Sequence, residues 1–70
     1  MYPNLKAEFV RRDLTLEKVA PELGITVPTL SLKMNGKYPF TLNEAKKVKA
    51  VLNEVSPLDM PLEVLFEEAS

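Results

Sequence analysis

Apolar residues recur every three or four positions along most of the chain, and nowhere do they alternate with polar ones over the length of a strand. That spacing predicts helices, because about 3.6 residues per turn bring positions i, i+3, i+4 and i+7 onto one face. Five short helices are expected. The first covers about 4–12, with Asn4 as N-cap, Leu5 and Phe9 on its inner face, and Lys6, Arg11 and Arg12 in water. The second follows Thr15 as N-cap and runs to Leu23, burying Leu16, Val19, Ala20 and Leu23. Gly24 ends it, since a residue without Cβ takes positive φ at little cost. Pro21 has no N–H for the Glu17 carbonyl and its ring crowds that turn, so a kink is expected there.

The third helix begins at Thr26 or Val27 and ends at Asn35, with Gly36 just beyond. Pro28 falls in its first turn, where a missing N–H loses nothing. Ile25, Leu30 and Met34 point one way. After a loop of Lys37, Tyr38 and Pro39, the stretch Thr41-Leu42-Asn43-Glu44 matches a capping box, in which hydroxyl and carboxylate each accept from the other residue's backbone N–H. The fourth helix spans about 42–53, with Ala45, Val48, Leu52 and Val55 as its buried stripe and Lys46, Lys47 and Lys49 outward. Ser56, Pro57, Asp59 and Pro61 interrupt the chain. Leu62, Leu65 and Phe66 then return at helical spacing beside Glu63, Glu67 and Glu68, which predicts a short closing helix.

The expected fold is therefore all-α, a compact five-helix domain. Residues 1–70 form one unit: a four-helix core over 4–53 and an acidic C-terminal segment over 54–70. The 46% of apolar residues suffices for a core, although a chain of this size buries only about 60% of its unfolded surface. There is no cysteine and no histidine, which removes disulfides, the common zinc sites, and Ser-His or Cys-His nucleophile pairs. The remaining carboxylates are dispersed and have no EF-hand spacing, so Glu63, Glu67 and Glu68 are read as a solvated face. No enzyme activity, metal, cofactor or small-molecule substrate is expected. No apolar run approaches the 18 or so residues of a membrane span, and the N-terminal stretch lacks the apolar region of a signal peptide, so a cytoplasmic protein with no membrane partner is expected.

A net charge of −1 conceals a division. All nine Lys and Arg lie within residues 1–50 against five acids, a balance of +4; residues 51–70 carry five acids and no base, a balance of −5. A basic body with an acidic end is compatible with a polyanionic partner, because association is steered by where charge lies.

The most informative stretch is TLEKVAPELGITVPTLSLKMNG, residues 15–36. Two short helices separated by Leu23-Gly24-Ile25, with small Ala20 midway along the first, let the second cross closely at a steep angle, as in a helix-turn-helix. An exposed second helix fits the DNA major groove. Leu14-Thr15, Val19-Ala20, Leu23-Gly24-Ile25, Thr29-Leu30-Ser31 and Asn35-Gly36-Lys37 together make the chain resemble the lambda-repressor-like (Cro/cI-type) family over nearly all of residues 4–53. Many short phage and prophage regulators look similar further out, at the N-terminal Met1-Tyr2-Pro3-Asn4-Leu5-Lys6, the Pro39-Phe40-Thr41-Leu42 segment and the Pro61-to-Glu68 stretch.

This resemblance implies a bacterial or phage-encoded transcriptional regulator that binds a double-stranded DNA operator, most simply a repressor. It further implies a homodimer on a pseudo-palindrome with half-sites about 34 Å apart. Base-facing residues would be Leu16, Val27, Pro28, Ser31 and Leu32. Phosphates would be held by Thr15, Thr26, Thr29, Lys33, Asn35 and Lys37, including the helix N-termini. Leu62, Leu65 and Phe66 would either cover the core or form a dimer seam. The chain departs from the family in having apolar Leu16 where Gln is usual, and apolar Val27, Pro28 and Leu32 where polar or basic residues are common. Bidentate Gln-adenine or Arg-guanine pairs cannot form there, which leaves thymine-methyl contact, shape readout or phosphate contact as sources of specificity. The same apolar residues would also suit a protein-binding module, an antirepressor or adaptor that uses the fold without DNA. Lys46, Lys47 and Lys49 are read as a solvated face, and Tyr38 and Phe40 as packing residues.

Overall fold

The computed structural model describes residues 2–68, and these form five helices and no strand: α1 (Pro3–Arg11), α2 (Leu16–Leu23), α3 (Val27–Met34), α4 (Leu42–Val55) and α5 (Leu62–Leu65). Their starts are set largely by side-chain caps. Thr15, Thr26 and Thr41 have extended backbone and accept from the N–H groups of Lys18, Thr29 and Glu44, three residues on in each case. The capping box at α4 is complete, with Thr41 N–H donating to Glu44 Oε1 at 2.9 Å and Glu44 N–H to Thr41 Oγ1 at 3.1 Å.

The first three helices share one way of ending. In each, a residue in the left-handed region is followed by an N–H that reaches back five residues: Leu14 to the Phe9 carbonyl, Ile25 to Ala20 and Lys37 to Leu32. These are Schellman turns. The left-handed positions are Asp13 (φ 52°), Gly24 (φ 70°) and Gly36 (φ 79°). The aspartate is the unexpected member. A short polar side chain is among the few that tolerate this backbone region.

Every helix contributes to one core. Leu5 of α1, Val19 of α2, Leu30 of α3, Val48 and Leu52 of α4 and Leu65 of α5 are fully buried together. The radius of gyration, 10.8 Å, equals the roughly 11 Å expected for a close-packed chain of this length. No helix among the described residues is long and apolar enough to cross a membrane.

Several expectations need correction. The first helix begins at Pro3 with Tyr2 in the capping position, and Asn4 does not cap it; Asn4 Nδ2 instead donates to the Val64 carbonyl at 2.9 Å, tying α1 to α5. Arg12 is not in water. Its side chain is 5% exposed and bonds Glu8 Oε1 at 2.6 Å, Leu52 O at 2.8 Å and Ser56 O at 2.9 Å. The physical reason lies in α4, which extends to Val55 and has no basic residue in its last turn; Arg12, just past the end of α1, supplies the cation that its C-terminal carbonyls lack. Glu8, 4% exposed, is the buried counterion, and it also meets the exposed Arg11 at 2.8 Å. Val55 lies outside the buried stripe at 52% exposed, because the chain leaves α4 there. The expected extent of α2 is unchanged, for the helix contains Pro21 and continues to Leu23.

The acidic segment packs on the body as well. Tyr2, Phe40 and Phe66 meet edge to face, with ring centroids 5.0–5.7 Å apart, so α5, the N-terminus and the loop before α4 share an aromatic contact. Burial, and secondarily the Glu68 carboxylate, push the Tyr2 phenol above its ordinary pKa.

Candidate nucleic-acid interface

Helix α3 follows α2 after only Gly24, Ile25 and Thr26. Its burial is one-sided: Leu30 and Met34 enter the core, whereas Pro28 and Leu32 are exposed and Ser31 is partly so. The period of the helix explains the division, since 30 and 34 share one face while 28 and 32 share another. Asn35 and Lys37 lie exposed just past its end, on backbone held by Lys37 N–H to Leu32 O at 2.9 Å.

The five base-facing candidates divide into two groups. Pro28, Ser31 and Leu32 lie on the outward face, with Leu32 37% exposed. Leu16 and Val27 are half-buried and pack against the core, so their side chains serve chiefly to seat α2 and α3. Leu16 and Ser31 also line a groove of about 330 Å³ with Lys6, Phe9, Val10, Met34 and Asn35. Lys6 and Val10 were not among the sequence candidates. Val10 is 78% exposed, and only the tertiary contact of α1 with the α2–α3 pair reveals that it borders the same surface.

The phosphate candidates fare unequally. Thr15 and Thr26 cap their helices, and the Thr26 hydroxyl also donates to Thr29 Oγ1 at 2.9 Å. Asn35 Nδ2 donates to the Ser31 carbonyl at 3.0 Å. Lys33 must be withdrawn as a free cation: its ammonium, 12% exposed as a side chain, lies 2.9 Å from both Glu44 Oε1 and the Pro39 carbonyl, and 6.0 Å above the Phe40 ring. Glu44 thus accepts from α3 and from its own helix start with one oxygen. Its carboxyl is held below the ordinary range first by the Thr41 N–H and then by Lys33, against the opposing effect of burial. Lys37 remains exposed, as do Lys18, Lys46 and Lys47.

The seam candidates are corrected in part. Leu65 is fully buried within the chain; Leu62 and Phe66 are partly exposed and both border an open groove of about 430 Å³ beside Leu42, with Phe66 also in the aromatic contact. An interface through Leu65 would require the fold to open. Among the described residues no group of three or more His, Cys, Asp or Glu is placed to hold a metal ion.

No protein-family model, curated protein or solved structure matches this chain.

Proposed function

We propose that this chain is a sequence-specific double-stranded-DNA-binding transcriptional regulator built on a helix-turn-helix of the lambda-repressor-like kind, acting as a phage- or prophage-type repressor. The observation that carries this reading is α3 itself. It is a short helix, fixed to α2 by a tight turn, that buries Leu30 and Met34 in the core and leaves Pro28 and Leu32 exposed and Ser31 partly so. Eight residues make a rod about 12 Å long. The major groove, about 12 Å wide, admits such a helix.

The surroundings suit a polyanion. Lys37 follows the C-terminus of α3, Lys6 borders the adjoining groove, and Lys18 lies exposed on α2. The threonine-capped N-termini of α2 and α3 carry partial positive charge of the kind that receives phosphates. Repression follows from occupancy: a bound regulator excludes polymerase from an overlapping promoter. Two copies on a pseudo-palindrome would set half-sites about 34 Å apart, joined through a surface that does not include the buried Leu65.

The test is selection of random duplexes by the purified protein, followed by affinity for the winner over a salt series. A reproducible motif with a steep negative salt slope is the expected result. Exposed Val10 and Leu32, with the groove that Val10 lines, favour one rival, a protein partner in the place of DNA. That rival predicts no enriched motif.

A further inference from the structure

Part of the hydrogen-bonding capacity of α3 is already used within the chain. The Lys33 ammonium is spent on Glu44 and Pro39, and the Thr26 hydroxyl on Thr29. Asn35 turns one amide hydrogen back to Ser31. The middle of the outward face is apolar at Pro28 and Leu32, one helical turn apart, with the Ser31 hydroxyl beside them; the polar groups still open, the Thr29 hydroxyl hydrogen and the rest of the Asn35 amide, lie toward the two ends of the helix.

Four residues of helix rise about 6 Å, close to two base-pair steps of about 3.4 Å. In the major groove the apolar feature of a base edge is the C5-methyl of thymine; the other features there are donors and acceptors. A leucine or proline laid over those would take them from water without a replacement partner, which is unfavourable. Over a methyl group the same side chains remove apolar surface from water on both partners. The exposed lysines around this ridge complement the phosphates on either side of such a site.

We propose that this chain chooses its duplex by thymine methyl groups, with Pro28 and Leu32 each covering one, about two base-pair steps apart. The inference rests on the duplex-binding reading above and narrows it to the class of base edge that is read. It separates methyl contact from the readout of groove shape, because thymine and uracil pair alike and differ only in the methyl.

The experiment starts from the selected duplex and replaces its thymines one at a time with deoxyuridine, with affinity measured by fluorescence anisotropy. Two positions should each lose about fourfold, the worth of one buried methyl, while the others stay unchanged. In Leu32→Ala, with helix content checked by circular dichroism, one of those two losses should disappear and the salt slope should persist. A selected, salt-dependent duplex that is indifferent to every uracil substitution overturns the methyl reading and leaves DNA binding standing. Failure to select any duplex overturns both.

Discussion

Arg12 and Glu8 hold together parts of the chain that lie far apart in sequence. The guanidinium joins the α1 carboxylate to carbonyls at the end of α4, an arrangement that uses its planar fork of donors and that a lysine could not reproduce. A domain of this length holds about 4–10 kcal/mol in all. Removing one partner of a buried ion pair costs about 3–5 kcal/mol, because the other charge is left without compensation. Arg12→Ala leaves Glu8 only the exposed Arg11 and strips the α4 carbonyls of their donor, so it should lose a large part of the stability in urea denaturation, whereas Arg11→Ala, whose side chain is 72% exposed, should change it by less than about 0.5 kcal/mol. Glu44 gives the second prediction at this scale. Its folded carboxyl titrates below its unfolded one, so its contribution is complete above the unfolded pKa and is lost as pH falls through the folded value. Glu44→Gln should be less stable than the parent at neutral pH, and the two melting curves should converge in acid.

At the scale of the element, the helices are short, and their ends matter as much as their faces. Gly24 closes α2 at φ 70°, and a Cβ placed there would meet nothing within 4 Å. The cost of Gly24→Ala is therefore conformational, without a steric part. It should be about 1 kcal/mol by thermal denaturation, with Gly24→Asn costing less because asparagine visits the left-handed region more readily. The two helices joined here were legible from Thr15, Thr26, Gly24 and Gly36, whose chemistry acts within a few residues. The residue that turns the chain after α1 was not. Asp13 performs at φ 52° the task glycine has in the next two turns, and an aspartate also fits a cap or an exposed loop.

For the whole molecule, the acidic segment completes the core that residues before it begin. Leu65 is fully buried, and Phe66 closes the aromatic contact with Tyr2 and Phe40. Leu65→Ala should cost about 2–5 kcal/mol through lost burial and the cavity left behind, measured by denaturant unfolding. The opposed charges of body and tail thus belong to one packed unit. The attachment of α5 is hydrophobic, so added salt should weaken the proposed DNA binding through phosphate screening without detaching α5.

Local chemistry determined the helix count, most boundaries, the capping box and the outward position of Pro28 and Leu32, because hydrophobic period and capping act over one or two turns. Long-range packing decided the rest. It drew Arg12 inward to the end of α4, tied Lys33 to Glu44, left Val55 exposed and brought Lys6 and Val10 beside α3. An arginine, a lysine or a valine has the same local preferences whether it ends in water or against a distant carbonyl. Its fate is set by which unsatisfied group the folded chain brings within reach.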